Sequence, residues 1–220
     1  MKKSIVLATA VASILTSGVA AAELSANAAI ASNYIWRGVT QTTDQAAGQG
    51  GIDWGFGPGF YVGTWVSNVN FDNSDDGYEM DVYAGFAGEV GSFGYDVGVL
   101  TYQYPITPEF NFTEVYLSGT FSMLTLGIAS TVDAASGNEG GVYDTGDMYI
   151  NGSIDFTAGK SDVSLYAGSY AFDNDGAAGV GEVDYVHYGA SIGKDGFSFA
   201  VDKNDIEGGS ADNVRFTAMY

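Results

Sequence analysis

Eight carboxylates stand in short runs whose alternate positions are bulky and apolar: Asp53, Glu79, Asp81, Asp96, Glu114, Asp155, Asp184 and Asp202. If the apolar positions turn outward, these acids share an inner wall with Asn33, Arg37 and Arg215. A wall of carboxylates favours cations and raises the barrier for anions. The alternative is structural: the same groups, paired or hydrogen-bonded, hold a filled interior together. Arg37 and Arg215 lie at the loop ends of the first and last runs. If those two runs pair, the guanidiniums are expected close together, either as the positive side of a field across the acidic wall or paired with Glu79, Asp184 or Asp202.

Other chemistries are excluded by residue type. The 220 residues include no Cys and one His. No thiolate metal site, Cys nucleophile, disulfide or multi-His centre is possible. A Ser–His–acid site must use His187, and no Ser motif accompanies it, so no enzyme is expected. His187 itself reads as inward, and Asp184 as lying at the loop end of its strand. The runs Asp72–Gly77 and Asp173–Gly176 space their carboxylates as a hard cation would need, but lack a closing bidentate Glu. They read first as solvated turns, and no metal or cofactor is expected. With 27 Asp+Glu against 7 Lys+Arg, a formal net of −20, the charge argues strongly against wrapping nucleic acid.

The elements that must position these acids have period two. From Tyr78 to Phe86 the even positions are apolar and the odd ones carry Glu79, Asp81 and Tyr83. Gly146 to Phe156 and Asn213 to Tyr220 alternate the same way. Twelve strands follow, roughly 24–37, 46–56, 60–69, 78–88, 93–104, 112–119, 124–133, 146–156, 163–172, 183–192, 197–203 and 213–220. Short connections alternate with longer polar ones. That pattern predicts an all-β fold: an antiparallel up-and-down transmembrane β-barrel of about 12 strands. Residues 1–22 read as a cleaved signal peptide, with Lys2-Lys3, an apolar stretch from Ile5 to Leu15 and small residues before Glu23. Residues 23–220 form the barrel domain. Aromatic residues near strand ends (Tyr34, Trp36, Trp54, Tyr78, Phe86, Phe93, Phe156, Phe172, Tyr220) are expected to form interfacial girdles against outer-membrane lipid. A periplasmic β-sandwich with the apolar face buried is the competing fold.

Ser32-Asn33-Tyr34-Ile35-Trp36-Arg37-Gly38-Val39-Thr40-Gln41 resembles the opening motif of the TorF family, Gram-negative proteins assigned a porin role. Gly59-Phe60-Tyr61-Val62-Gly63-Thr64-Trp65-Val66-Ser67-Asn68-Val69 and Glu79-Met80-Asp81-Val82-Tyr83-Ala84-Gly85-Phe86 continue the resemblance, which is most specific between Asn33 and Pro105. It implies an outer-membrane barrel with a pore role. The expected function is passive diffusion of small hydrophilic solutes, with a preference for cations. The alternatives are a non-conducting surface or structural barrel that binds a ligand through its loops, or an outer-membrane hydrolase built on His187.

Overall fold

The computed structural model describes residues 23–71, 77–135, 143–176, 182–207 and 213–220. The expected signal peptide and the acidic stretch from Asp72 to Asp76 lie outside them. Strands β1 (Glu23–Ala31), β4 (Ala47–Phe56), β5 (Phe60–Val69), β6 (Gly77–Val90), β7 (Phe93–Gln103), β8 (Phe112–Phe121), β9 (Leu124–Ala134), β10 (Met148–Ala158), β11 (Ser161–Ala171), β12 (Tyr185–Lys194), β13 (Phe197–Asn204) and β14 (Arg215–Met219) pair in one antiparallel closed barrel. Between β1 and β4 sit two short strands outside the wall, β2 (Ile35–Trp36) and β3 (Val39–Thr40). Closure joins Ala31 to Met219, with Ile30 N–H donating to Tyr220 O at 2.8 Å and Tyr220 N–H to Ile30 O at 3.0 Å.

The wall is inverted relative to a water-soluble barrel. Ile52, Trp54, Val82, Val97, Leu117, Leu126, Ile150, Leu165, Ile192 and Phe216 face outward and are exposed, whereas Asp53, Glu79, Asp81, Glu114 and Asp202 are buried inside. Only a hydrocarbon surround makes that arrangement favourable: it hydrates nothing outside and leaves the backbone paired round the ring. The sandwich alternative is excluded by the closed strand order.

Many of the glycines have a packing reason. Inside the wall, Tyr83 lies over Gly63, Tyr61 over Gly85, Tyr116 over Gly98 and Tyr166 over Gly189, where any Cβ would meet the ring. The ring covers backbone that glycine leaves bare. Three of these phenols then reach an acid: Tyr83 donates to Asp53, Tyr61 to Asp96 at 2.6 Å and Tyr166 to Asp202 at 2.7 Å. Gly63→Val is expected to displace the Tyr83 ring and cost about 1–3 kcal/mol, as overpacking does. The check is a lower midpoint for loss of the compact, heat-modifiable gel band.

Candidate functional site

The first strand does not run to Arg37. It leaves the wall after Ala31, and the chain turns into the bore. Ile35 pairs with Thr40 and Trp36 with Val39, leaving Arg37 and Gly38 as a two-residue turn with φ of 48° and 80°. Positive φ at both central residues is what a type I′ hairpin turn requires. Glycine takes it freely; arginine is strained by it, and such strain persists where the surroundings over-determine the conformation.

Those surroundings come from most of the barrel. Tyr34 packs edge-on against Trp65 of β5 and its hydroxyl donates to Glu79 of β6 at 2.8 Å. Trp36 meets Tyr102, Phe112 and Tyr170, from β7, β8 and β11, with centroids 5.7–6.1 Å apart. Arg37 donates Nη1 to Glu114 Oε1 at 2.8 Å and Nη2 to Oε2 at 2.6 Å. Its guanidinium carbon lies 4.0 Å from the Tyr149 ring centre, 4.4 Å from that of Trp36 and 4.9 Å from that of Tyr170. Asn204 Nδ2 of β13 donates to Gly38 O at 2.7 Å, and Gly38 presses on His187 of β12. A segment touching all these strands can only lie across the bore. It is a plug.

The base of the plug is braced separately. Asn33 Nδ2 and Arg215 Nε both donate to Asp44 Oδ1, each at 2.7 Å, and Thr40 Oγ1 donates to Asn33 Oδ1 at 2.7 Å. Three expectations are corrected here. Arg37 holds Glu114 rather than Glu79, Asp184 or Asp202, whereas Arg215 donates to Asp44 and also stands opposite Asp202 in register. Tyr34 and Trp36 are buried plug residues, not girdle. Asn33 likewise holds the hairpin base instead of standing on a strand wall.

Of the remaining predicted acids, all but Asp184 face inward. Near the loop end, Glu79 also accepts from Tyr104 at 2.7 Å, and Asp202 sits opposite Arg215 in register. Asp81 is fully buried beside them, and among the described residues neither of its carboxylate oxygens has a hydrogen-bond partner. Towards the turn end, Asp53, Asp96 and Asp155 form a second acidic zone. Their partners are Tyr83, Tyr61 and, at 2.6 Å, Ser153. Asp184 is exposed outside β12 and accepts from Phe172 N–H, so it belongs to the loop rim. Burial, and then the Glu79 carboxylate, push the Tyr34 phenol well above its usual range, which keeps it a donor.

One loop residue, Tyr143, packs against the plug. Tyr143 stacks on Phe112 with centroids 4.1 Å apart and meets Trp36 edge-on at 6.0 Å. Asp147 accepts from Asp144 N–H at 2.9 Å and from Asp173 N–H at 2.8 Å, tying two loops together. Burial and the neighbouring Asp173 push the Asp144 carboxyl up. The carboxylate of Asp175 instead accepts from Val183 and Asp184 N–H, which holds it below its usual range. Phe172, expected in a girdle, packs against Tyr170 at 4.2 Å. Trp54, Tyr78, Phe93, Phe156 and Tyr220 are exposed near strand ends, as a girdle requires.

His187 lies inside as expected. Its Nε2 shares a 2.7 Å hydrogen bond with the Tyr149 hydroxyl, an aromatic neighbour and no serine. The bulge that shifts pairing from Thr113–Asp133 to Glu114–Thr131 falls directly beside the plug's anchor. Bulges commonly re-aim a side chain at such places.

The barrel has the fold of a known porin. It superposes on a KdgM porin with a TM-score of 0.57 at 10% identity, over 89% of this chain and 96% of that one. A second structure, the KdgM porin in complex with disordered oligogalacturonate, gives 0.55 at 10% identity, over 90% and 96%. Among curated proteins none matches the sequence. Residues 16–219 match the model of the Gcw_chp family, described as bacterial protein of unknown function, and the chain belongs to that family.

Proposed function

We propose that this protein is an outer-membrane channel for passive diffusion of small hydrophilic solutes, preferring cations, with the hairpin at Arg37–Gly38 as its gate. The observation that carries the proposal is the pairing of an apolar exterior with an acid-lined interior in a closed barrel. The porin fold and the resemblance of Asn33–Pro105 to TorF porins support it. An exported chain with a cleaved leader at 1–22 fits the same location, with outer-membrane lipid against the exposed apolar face. Oligogalacturonate, the ligand in one similar structure, is a polyanion. A bore lined by Asp53, Asp96, Asp155 and Glu79 opposes such a solute, so the two barrels differ in cargo on this reading.

The test is a reversal potential in planar bilayers under a KCl gradient. Cation preference is expected, and Asp53→Asn, Asp96→Asn and Asp155→Asn together should move the potential toward that of an unselective pore. Anion preference in the unaltered barrel would reject the selectivity. A second reading is favoured by one observation, the plug's contacts across the bore: a barrel closed at rest that binds at its loops. Conduction after unseating of the plug separates the two.

A further inference from the structure

The site that holds Arg37 has a chemistry of its own. Glu114 presents both carboxylate oxygens to one guanidinium edge, at 2.8 and 2.6 Å. The rings of Tyr149 and Tyr170, 4.0 and 4.9 Å from the guanidinium carbon, come from the wall and stay when the hairpin leaves. Tyr102 donates a further, longer hydrogen bond to Glu114 Oε2 at 3.4 Å. Glu114 is buried in the wall, its side chain only 2% exposed. A paired carboxylate fork with ring faces beside it selects a planar, bidentate cation over a spherical one.

We infer that this cage is a subsite for guanidinium-bearing solutes, and that Arg37 is its built-in occupant, displaced when such a solute enters. The inference rests on the channel reading and names its substrate class. It also explains the strained backbone: an arginine sits at a turn position suited to glycine or asparagine because its head group is the ligand. Opening and cargo recognition then become one event, since any solute able to take the cage must compete with the plug.

Arg37→Ala empties the cage while leaving Glu114, Tyr149 and Tyr170 in place. In planar bilayers, guanidinium or agmatine at low millimolar concentration is expected to reduce current through this variant at about one-tenth the concentration of tetramethylammonium or Na⁺ that does so. Adding Glu114→Gln should abolish the difference. Binding is read independently of current by the heat-modifiable midpoint. Millimolar guanidinium should raise it in Arg37→Ala and leave the unaltered chain unmoved. A variant that refolds only with guanidinium present would support the cage; one that guanidinium neither rescues, stabilises nor blocks would overturn it. If Arg37→Ala gains a thermal shift but passes no current, the channel reading fails and the cage stands. If it conducts and treats guanidinium like Na⁺, the cage fails and the channel stands.

Discussion

Replacing Arg37 with alanine is expected to convert a barrel that conducts little into one that is open most of the time. The ion pair to Glu114 lies between side chains only 9% and 2% exposed. Removing one partner of such a pair leaves a buried charge uncompensated and costs about 3–5 kcal/mol. In the channel that cost falls on the seated state alone, because an unseated plug exposes Glu114 to water. The seated-to-unseated ratio should therefore fall by roughly two to three orders of magnitude, at 1.4 kcal/mol per factor of ten. Open probability in planar bilayers reads this directly. Arg37→Asn is the informative companion. Asparagine tolerates the left-handed conformation that Arg37 adopts at a φ of 48°, so the hairpin turn itself should be no worse formed. If both variants open the channel, the guanidinium is the latch. If asparagine keeps it shut while alanine opens it, turn geometry holds the plug and the ion pair does not. If neither changes the current, the hairpin is no gate.

The wall was legible in the sequence because period two survives there. Once Met80, Val82 and Ala84 are taken as outward, Glu79 and Asp81 must point in, and both are buried. The same logic placed Asp53, Asp96, Glu114, Asp155, Asp202 and Arg215 inside. The plug defeated it for a physical reason. Tyr34 and Trp36 keep the phase of Ile30, so alternation reads straight through a place where the chain leaves the sheet. A segment packed on all sides by aromatic rings has the composition of a lipid-facing strand. One local signal was available: Arg37-Gly38 between Ile35-Trp36 and Val39-Thr40, followed by the polar Gln41-Thr42-Thr43-Asp44. A dipeptide ending in glycine at that spacing marks a two-residue hairpin. Of the anchors, Glu79 and Glu114 were read as inward but Asp44, Asn204, Tyr149 and Tyr170 were missed, because sequence gives the face of each side chain but not which strands the plug crosses.

Gly38→Ala tests the plug without touching a charge. Gly38 has a φ of 80°, and a Cβ built there would overlap the Cβ and ring of His187. Two costs then act on the seated hairpin. The left-handed conformation costs an alanine roughly 1–2 kcal/mol. Overpacking against a strand whose backbone is fixed by its neighbours adds about 1–3 kcal/mol. His187 cannot swing clear, since its Nε2 is bonded to Tyr149 and its Cβ is part of the wall. The sum predicts an unseated plug and a rise in open probability of at least roughly tenfold, with Arg37 and Glu114 both present. Gly57→Ala is the control for backbone strain. Gly57, in the turn between β4 and β5, has a φ of 62° and open space where a Cβ would go. It carries the same conformational cost far from the plug, so it should lower the heat-modifiable midpoint slightly and leave gating alone. Equal gating in both glycine variants would mean that strain anywhere in the barrel opens it. An effect confined to Gly38 makes close approach of the hairpin to β12 the condition for closure.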